Sequence, residues 1–475
     1  MKKQPVRQIL FLGVFIAITC TAMAFAVKGP EIAAPDRVPP IVPDKAIVSL
    51  AANLTQSKIV TGGDGKVALA LTLAADEVIR PGEDSGRNVD MVVVLDRSGS
   101  MQGPKINDAR QAILRLIDSL TEKDRFALVS YSDGVRRHTG LLNATPDNRQ
   151  IFIDQVTTIS AQGGTNLGAG LQEGLALLQS AAKNGNLGRV ILISDGQANQ
   201  GITDPAALGN LAATSVASEF AVTTVGVGLD FNEYLMTHIA DRGTGNYYFL
   251  ENPNAFAEVF LNECNKTRIV AATSVEIRIP LQDDITLFSA AGYPIEVKNN
   301  QAIFRPGDLL SGQTRKLFIT LRMPTDRDRS FNMQGIQVAF SHENKPMVAE
   351  LDTPFRIDCV KNQQDVYGSI VKEEWEQKVM QEDLNRLREQ VAGDIKAGKK
   401  EDALEKIAEY RSAVEEINTH IGSESISQSL SKDLSGLGST VTDTFSGAPS
   451  AVAIKQKKNA KSMQYQGVQG MRGKH

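Results

Sequence analysis

The hydrophobic positions change character at Val89. Met91–Leu95, Phe126–Ser130, Val190–Ile193 and Val222–Val227 read as the clearest buried strands, and the stretches Lys105–Leu120, Leu167–Ala182 and Pro205–Phe220 between them carry apolar residues three and four apart. Strands apolar on both faces, alternating with amphipathic helices, define a parallel sheet covered on both sides. The pattern therefore predicts an α/β domain, a doubly wound and mostly parallel sheet, over residues 89–264. It closes with a short strand, Tyr247–Leu250, and a helix from Pro253 to about Cys264 that has proline in its first turn.

On either side the period shortens. Ala46–Val60 and Lys66–Leu73 alternate apolar and polar residues around Gly62-Gly63-Asp64-Gly65 and read as paired strands. Val275–Ile279, Lys316–Leu321 and Ile336–Phe340 alternate in the same way. A pair of strands cannot bury a face alone, so residues 46–88 plus 265–360 are expected to form one β-sandwich into which the α/β domain is inserted. A C-terminal helical segment follows. Tyr367, Ile370, Val371, Trp375, Val379, Leu384, Leu387 and Val391 fall on one helical face, Gly398 breaks it, and Leu404, Ile407, Tyr410, Val414 and Ile417 form a second stripe. Residues 363–445 thus read as a helical hairpin region. Residues 446–475, whose last 25 positions hold six Lys or Arg and no acid, read as a basic disordered tail.

The amino terminus sets the compartment. Lys2, Lys3 and Arg7 precede an uncharged apolar run from Ile9 to Val27, so residues 1–26 are expected to be a signal peptide or an N-terminal membrane anchor, followed by a proline-bearing linker over 27–45. Either topology exports the rest of the chain to a periplasm, cell envelope or extracellular space. Residues 9–27 would anchor it to the inner membrane if uncleaved, the only expected membrane contact. Cys264 and Cys359 then lie where oxidation is permitted. A disulfide between them and a pair of buried thiols both remain open. With 475 residues, 42% hydrophobic, 22% charged and a net charge of −4, the chain is an ordinary multidomain globular protein, and nothing in it asks for nucleic acid.

The candidate chemistry sits in loops. The first α/β strand runs into Asp96-Arg97-Ser98-Gly99-Ser100, a later loop holds Gly163-Gly164-Thr165-Asn166 before a helix, and another buried strand ends in Ser194-Asp195-Gly196. Strand-to-helix loops of a parallel sheet open at one edge, so Asp96, Ser98, Ser100, Thr165 and Asp195 can converge, with Gly164 and Asn166 in the surrounding loops. Five hard oxygen groups suit a divalent cation: Mg²⁺ first, with Ca²⁺ or Mn²⁺ as alternatives. Three of the five are neutral hydroxyls, so such an ion keeps residual charge and an open position that an Asp or Glu of a protein partner would fill.

These residues resemble the metal-ion-dependent adhesion site of von Willebrand factor type A (VWA) domains, and the flanks look like those of bacterial type A proteins and inter-alpha-trypsin-inhibitor heavy chains. The resemblance covers roughly Val89–Cys264. It implies that Ser98, Ser100 and Thr165 touch the metal, that Asp96 and Asp195 act largely through water, and that the chain is an adhesion or scaffold protein. An enzyme is not expected: the five histidines are scattered, no His-Glu-x-x-His or Gly-x-Ser-x-Gly occurs, and a metal-dependent hydrolase has no evident base. A structural or regulatory envelope subunit docking through its C-terminal helices is the alternative.

Overall fold

The computed structural model describes residues 47–78, 87–180, 186–251, 256–282 and 284–473. The expected leader and linker lie outside these.

Lys66–Ala75 is the strand that ties the two ends of the sandwich together. It pairs antiparallel with Val48–Leu54 on one side and with Thr314–Arg322 on the other, so that Leu71 lies between Ala52 and Leu317. Thr286–Ala290 completes this four-stranded sheet. The facing sheet is built around Val270–Pro280, flanked by Gln301–Phe304 and Gln337–His342. Leu69, Leu71, Leu317 and Ile319 from one sheet meet Ile277, Phe304 and Val338 from the other in a dry core. The chain leaves this sandwich after Ala75 and re-enters it at Val270.

One expected pairing is different. Lys58–Val60 does not form a hairpin with the strand after the glycine turn; it runs parallel to Phe355–Val360, with Ile59 opposite Cys359, in a separate three-stranded sheet. Gly65 makes the turn possible. Its φ is +70° and a Cβ there would lie 2.0 Å from the Met323 carbonyl oxygen, so only glycine fits.

The inserted domain is the doubly wound α/β layer that the hydrophobic pattern predicts. Its strands lie in the order Thr244–Leu250, Ala221–Val227, Leu187–Ser194, Val89–Asp96, Arg125–Tyr131, all parallel, with the short antiparallel Val135–Arg137 at the far edge. Val89–Asp96 is central and every residue of it is buried. Met91, Val93 and Leu95 pack against Ile113, Leu116 and Ile117 of the helix Pro104–Ser119, whereas Val92 and Val94 pack against Leu171, Leu175 and Leu178 of the helix Leu167–Gln179. The chain moves to one side after Val89–Asp96 and to the other from Leu187–Ser194 onward, so strand order reverses between these two neighbours. Open α/β sheets bind ligands at such a switch point, outside the carboxyl ends of the strands.

The C-terminal segment is more than a hairpin. The helices Lys372–Lys378 and Leu384–Lys396, joined by a π-helical turn, share one core with Lys400–Ile421 and Glu424–Thr444, in which Trp375, Leu387, Val391, Ile407 and Val414 meet Ile426, Leu430 and Leu434. This assembly covers the outer face of the four-stranded sheet. Glu374 accepts from Asn53 Nδ2 at 3.0 Å and pairs with Lys316 at 2.6 Å. Lys66–Ala75 is therefore buried on both faces over much of its length.

The expected disordered tail is a correction. Pro449–Met471 is a 23-residue helix that packs along Leu384–Lys396 and against the α/β domain. Two cations of this stretch have buried partners: Lys461 Nζ donates to Glu233 Oε2 and the Phe231 carbonyl, each at 2.7 Å, and Arg472, just past the helix, forms 2.8 Å contacts with Asp241. Tyr465 packs edge-on against Tyr247 and Phe249. Cys359 is a free thiol, buried in the sandwich core with Thr61 Oγ1 at 3.6 Å, and the side chain of Cys264 lies outside those described.

Candidate metal centre

Three loops meet at the switch point, and the backbone fastens them to one another. Asp96 is the last residue of its strand, and Ser98 leads into a tight helical turn, Gly99–Met101, before proline opens the next helix at Pro104. The Gly99 amide donates to the Gly163 carbonyl at 2.9 Å, and Gln162 donates to the Arg97 carbonyl at 2.7 Å. Thr165 is tied to the third loop in both directions: its amide donates to Asn199 Oδ1 at 3.0 Å and its carbonyl accepts from Asn199 N at 3.2 Å.

Within this frame the side chains converge. Ser98 Oγ and Ser100 Oγ are 3.0 Å apart, and Ser100 Oγ donates to Asp195 Oδ1 at 2.7 Å. Asp96 Oδ1 accepts from the Ser98 amide at 2.8 Å, and its Oδ2 accepts from Ser194 Oγ at 2.9 Å. Gly196 joins Thr165 to this group, since a Cβ built on it would sit 3.5 Å from Ser100 Oγ and 3.7 Å from Thr165 Oγ1. Asp96, Ser98, Thr165 and Asp195 are buried, while Ser100 is exposed and marks the mouth. All five candidate oxygen residues are thus gathered at one place. The two loop residues have other work: Asn166 caps the following helix by accepting from Ala169 N at 3.2 Å, and the Gly164 amide donates to Asp133 Oδ1 at 2.8 Å.

Four contributors were missed by the sequence reading. Ser194 and Asn199 hold Asp96 and Thr165. Asp133, which also accepts from Gln200 Nε2 at 2.7 Å, pins the Gly164 loop, and those two hydrogen bonds hold its carboxyl below the usual range. Lys105 forms a short ion pair with Asp195 and approaches the Ser100 carbonyl at 3.4 Å. Its only signal was a lysine one residue inside the helix that follows the Ser100 loop.

The electrostatics are those of a site short of positive charge. Burial pushes the Asp96 carboxyl up to about 6, with neighbouring Asp195 acting the same way and the Ser98 and Ser194 hydrogen bonds opposing. Tyr131 stands behind, its hydroxyl donating to the Ile193 carbonyl at 3.0 Å, and is pushed upward by burial and by Asp96. A carboxyl raised in the folded state contributes stability below its unfolded value and loses it as pH rises through the folded value. From 3.8 to about 6 that amounts to roughly 3 kcal/mol. Metal-stripped protein should therefore lose stability between pH 4 and pH 7, measured as a falling denaturant midpoint, and a bound divalent cation should reverse the loss. Affinity for that cation should weaken about tenfold per pH unit below 6, as the proton competes for Asp96.

An α/β sheet whose switch point gathers hydroxyl and carboxylate oxygens from three loops is the class of domain that carries metal-dependent adhesion sites. Residues 90–262 match the model of the von Willebrand factor type A domain, and the chain carries such a domain. It is 28% identical over 246 residues to the uncharacterized protein YfbK of Escherichia coli, covering 49% of this chain and 42% of that protein. It is 29% identical over 161 residues to human inter-alpha-trypsin inhibitor heavy chain H4, covering 32% of this chain but 17% of that one. The chain thus spans less than half of either relative. A solved structure, the von Willebrand factor type A protein from Catenulispora acidiphila, shares the fold across 89% of this chain and 96% of its own, with a TM-score of 0.64 and 18% identity. The ArnB paralog VWA2 from Sulfolobus acidocaldarius covers 89% of this chain and 99% of its own, with a TM-score of 0.51 and 15% identity.

Proposed function

We propose that the chain is an exported, non-enzymatic adhesion or scaffold protein that captures an acidic residue of a partner protein through a divalent cation at the switch point. Ser98, Ser100 and Thr165 would supply neutral oxygens to the ion and Asp96 and Asp195 the counter-charge, with Mg²⁺ the first choice and Ca²⁺ or Mn²⁺ alternatives. The observation that carries this is the meeting of five oxygen-bearing side chains from three cross-tied loops. The donor set fits the group. Asp195 adds to the cost of ionising the buried Asp96, and among the described residues no cluster of three or more His, Cys, Asp or Glu offers a closed cage elsewhere. A shell rich in hydroxyls leaves the ion charge that an outside carboxylate can meet.

The non-catalytic reading rests on the sequence, in which no hydrolase motif occurs. His138 bonds Ser130 Oγ at 2.8 Å, His342 bonds the Ala271 carbonyl at 2.7 Å, and His238 and His420 stack on Tyr234 and Tyr367. Export rests on the Ile9–Val27 run; among the described residues no helix is long and apolar enough to cross a membrane. The test is a pulldown from the parent envelope with and without chelator, in which the partner should be retained only with metal present.

Lys105 competes with the ion. Its ammonium holds the Asp195 carboxylate that a cation would need, and such a charged bond is worth roughly 1.5 kcal/mol. Lys105→Met should therefore bind Mg²⁺ about tenfold more tightly by calorimetry. Unchanged or weaker binding would make the lysine a bystander or a helper.

A further inference from the structure

Lys105, Asp133 and Arg97 bring charge to the mouth of the metal centre, and two of them are already engaged. Lys105 holds Asp195, and Asp133 Oδ1 accepts from the Gly164 amide at 2.8 Å and from Gln200 Nε2 at 2.7 Å. Arg97 is different. Among the described residues its guanidinium makes no hydrogen bond and no ion pair, although the residue is partly buried and its backbone is fixed on both sides. Its amide donates to the Tyr131 carbonyl at 2.9 Å, and its carbonyl accepts from the Gln162 amide at 2.7 Å.

The position of Arg97 in the chain decides where its charge falls. It stands between Asp96 and Ser98, both of which turn toward the ion, and successive side chains of an extended backbone point to opposite sides. The guanidinium therefore lies beside the ion's place rather than in it, on the flank of Asp133. The carboxyl of Asp133 is held down first by its hydrogen bonds from Gly164 and Gln200 and then by the Arg97 charge, although no ion pair joins the two side chains. Between this flank and Ser100 the surface is bare. Gly99 and Gly163 are exposed there and bonded to each other at 2.9 Å, so no side chain stands over the loop to keep a partner's backbone away. A guanidinium is permanently charged and its planar fork matches a carboxylate with two parallel hydrogen bonds.

We infer that Arg97 binds a second carboxylate of the partner, next to the one that reaches the ion, and that the partner presents an extended acidic segment of the form Asp/Glu-x-Asp/Glu. Alternate side chains of an extended segment share one face and lie about 7 Å apart, so one acid can meet the ion while the other meets the flank. This rests on the capture of an acid by the ion and adds to it the residue that selects among acidic partners.

The full chain supplies the test, by calorimetric titration in Mg²⁺ with capped peptides that carry Asp-Gly-Asp, Asp-Gly-Asn or Asn-Gly-Asp between glycines. The wild type should bind the diacid about fivefold more tightly than either mono-acid, against the roughly twofold that two interchangeable acids alone would give. Arg97→Gln should bring the diacid down to that statistical margin, with Mg²⁺ uptake by the same sample reporting that the site is formed. Arg136→Gln, which removes an exposed arginine from the neighbouring strand Val135–Arg137, should leave the preference intact. Mg²⁺-dependent binding of all three peptides within the statistical margin, or a preference that survives Arg97→Gln or is lost equally in Arg136→Gln, would overturn this inference and leave capture through the ion standing. No Mg²⁺-dependent binding of any peptide would overturn the capture itself, and the role of Arg97 with it.

Discussion

Asp96→Ala should abolish metal-dependent capture of the partner, with cation affinity falling by more than about a hundredfold. The residue closes a buried strand, orders the Ser98 loop through the Ser98 amide and holds Ser194 on its other oxygen, so its loss removes counter-charge and loop geometry together. The fold should survive, because removing a carboxyl that burial disfavours also removes its cost at neutral pH. Far-ultraviolet circular dichroism should match wild type while the pulldown is empty with and without chelator. A variant that still captures the partner would place recognition elsewhere.

Arg472→Met should cost about 3–5 kcal/mol, the usual effect of breaking a buried ion pair. Arg472 is only 2% exposed; it pairs with Asp241 at 2.8 Å, donates to the Gly292 carbonyl at 3.1 Å and lies over the Tyr293 ring at 4.4 Å. One side chain near the end of the chain thus joins the terminal helix, the α/β domain and the sandwich. Denaturant unfolding should show the loss, whereas substitution in a solvated tail would move the midpoint by less than about 0.5 kcal/mol. The same packing changes how docking through the C-terminal helices can be tested. Deleting residues 363–475 would uncover the sandwich sheet and the Glu233 and Asp241 partners, so lost capture after that deletion would report damage rather than a docking surface.

What the sequence makes legible follows from how far each signal reaches. The α/β layer is read from runs such as Met91–Leu95, because a strand buried on both faces must be apolar throughout, and the edge at which Asp96 and Asp195 meet follows from parallel strands alone, whereas Thr165 reaches it from the loop between the helices Pro146–Thr157 and Leu167–Gln179. Partners chosen by three-dimensional neighbours are not written locally. Ser194, Asn199, Asp133 and Lys105 are common polar residues until a second loop stands beside them. The strand Lys58–Val60 takes a partner some 300 positions away, which no hairpin rule anticipates. The terminal helix fails for a similar reason. Lys461 and Arg472 look like a solvated charge run because their carboxylates come from the α/β domain. Gly467 and Gly470, which weaken an isolated helix, allow close approach to Asn385, where a Cβ would lie 2.6 Å and 2.3 Å from its nearest atoms.

The claim on which the rest depends is that one divalent cation is held by these five side chains. Calorimetric titration of metal-stripped protein with Mg²⁺ and Mn²⁺ addresses it directly, with Thr165→Ala as the partner variant because that residue comes from a different loop. One ion per wild-type chain, and a large loss of affinity in Thr165→Ala, is the predicted result. No uptake of either ion by the wild type, or uptake that Thr165→Ala leaves unchanged, would contradict the account.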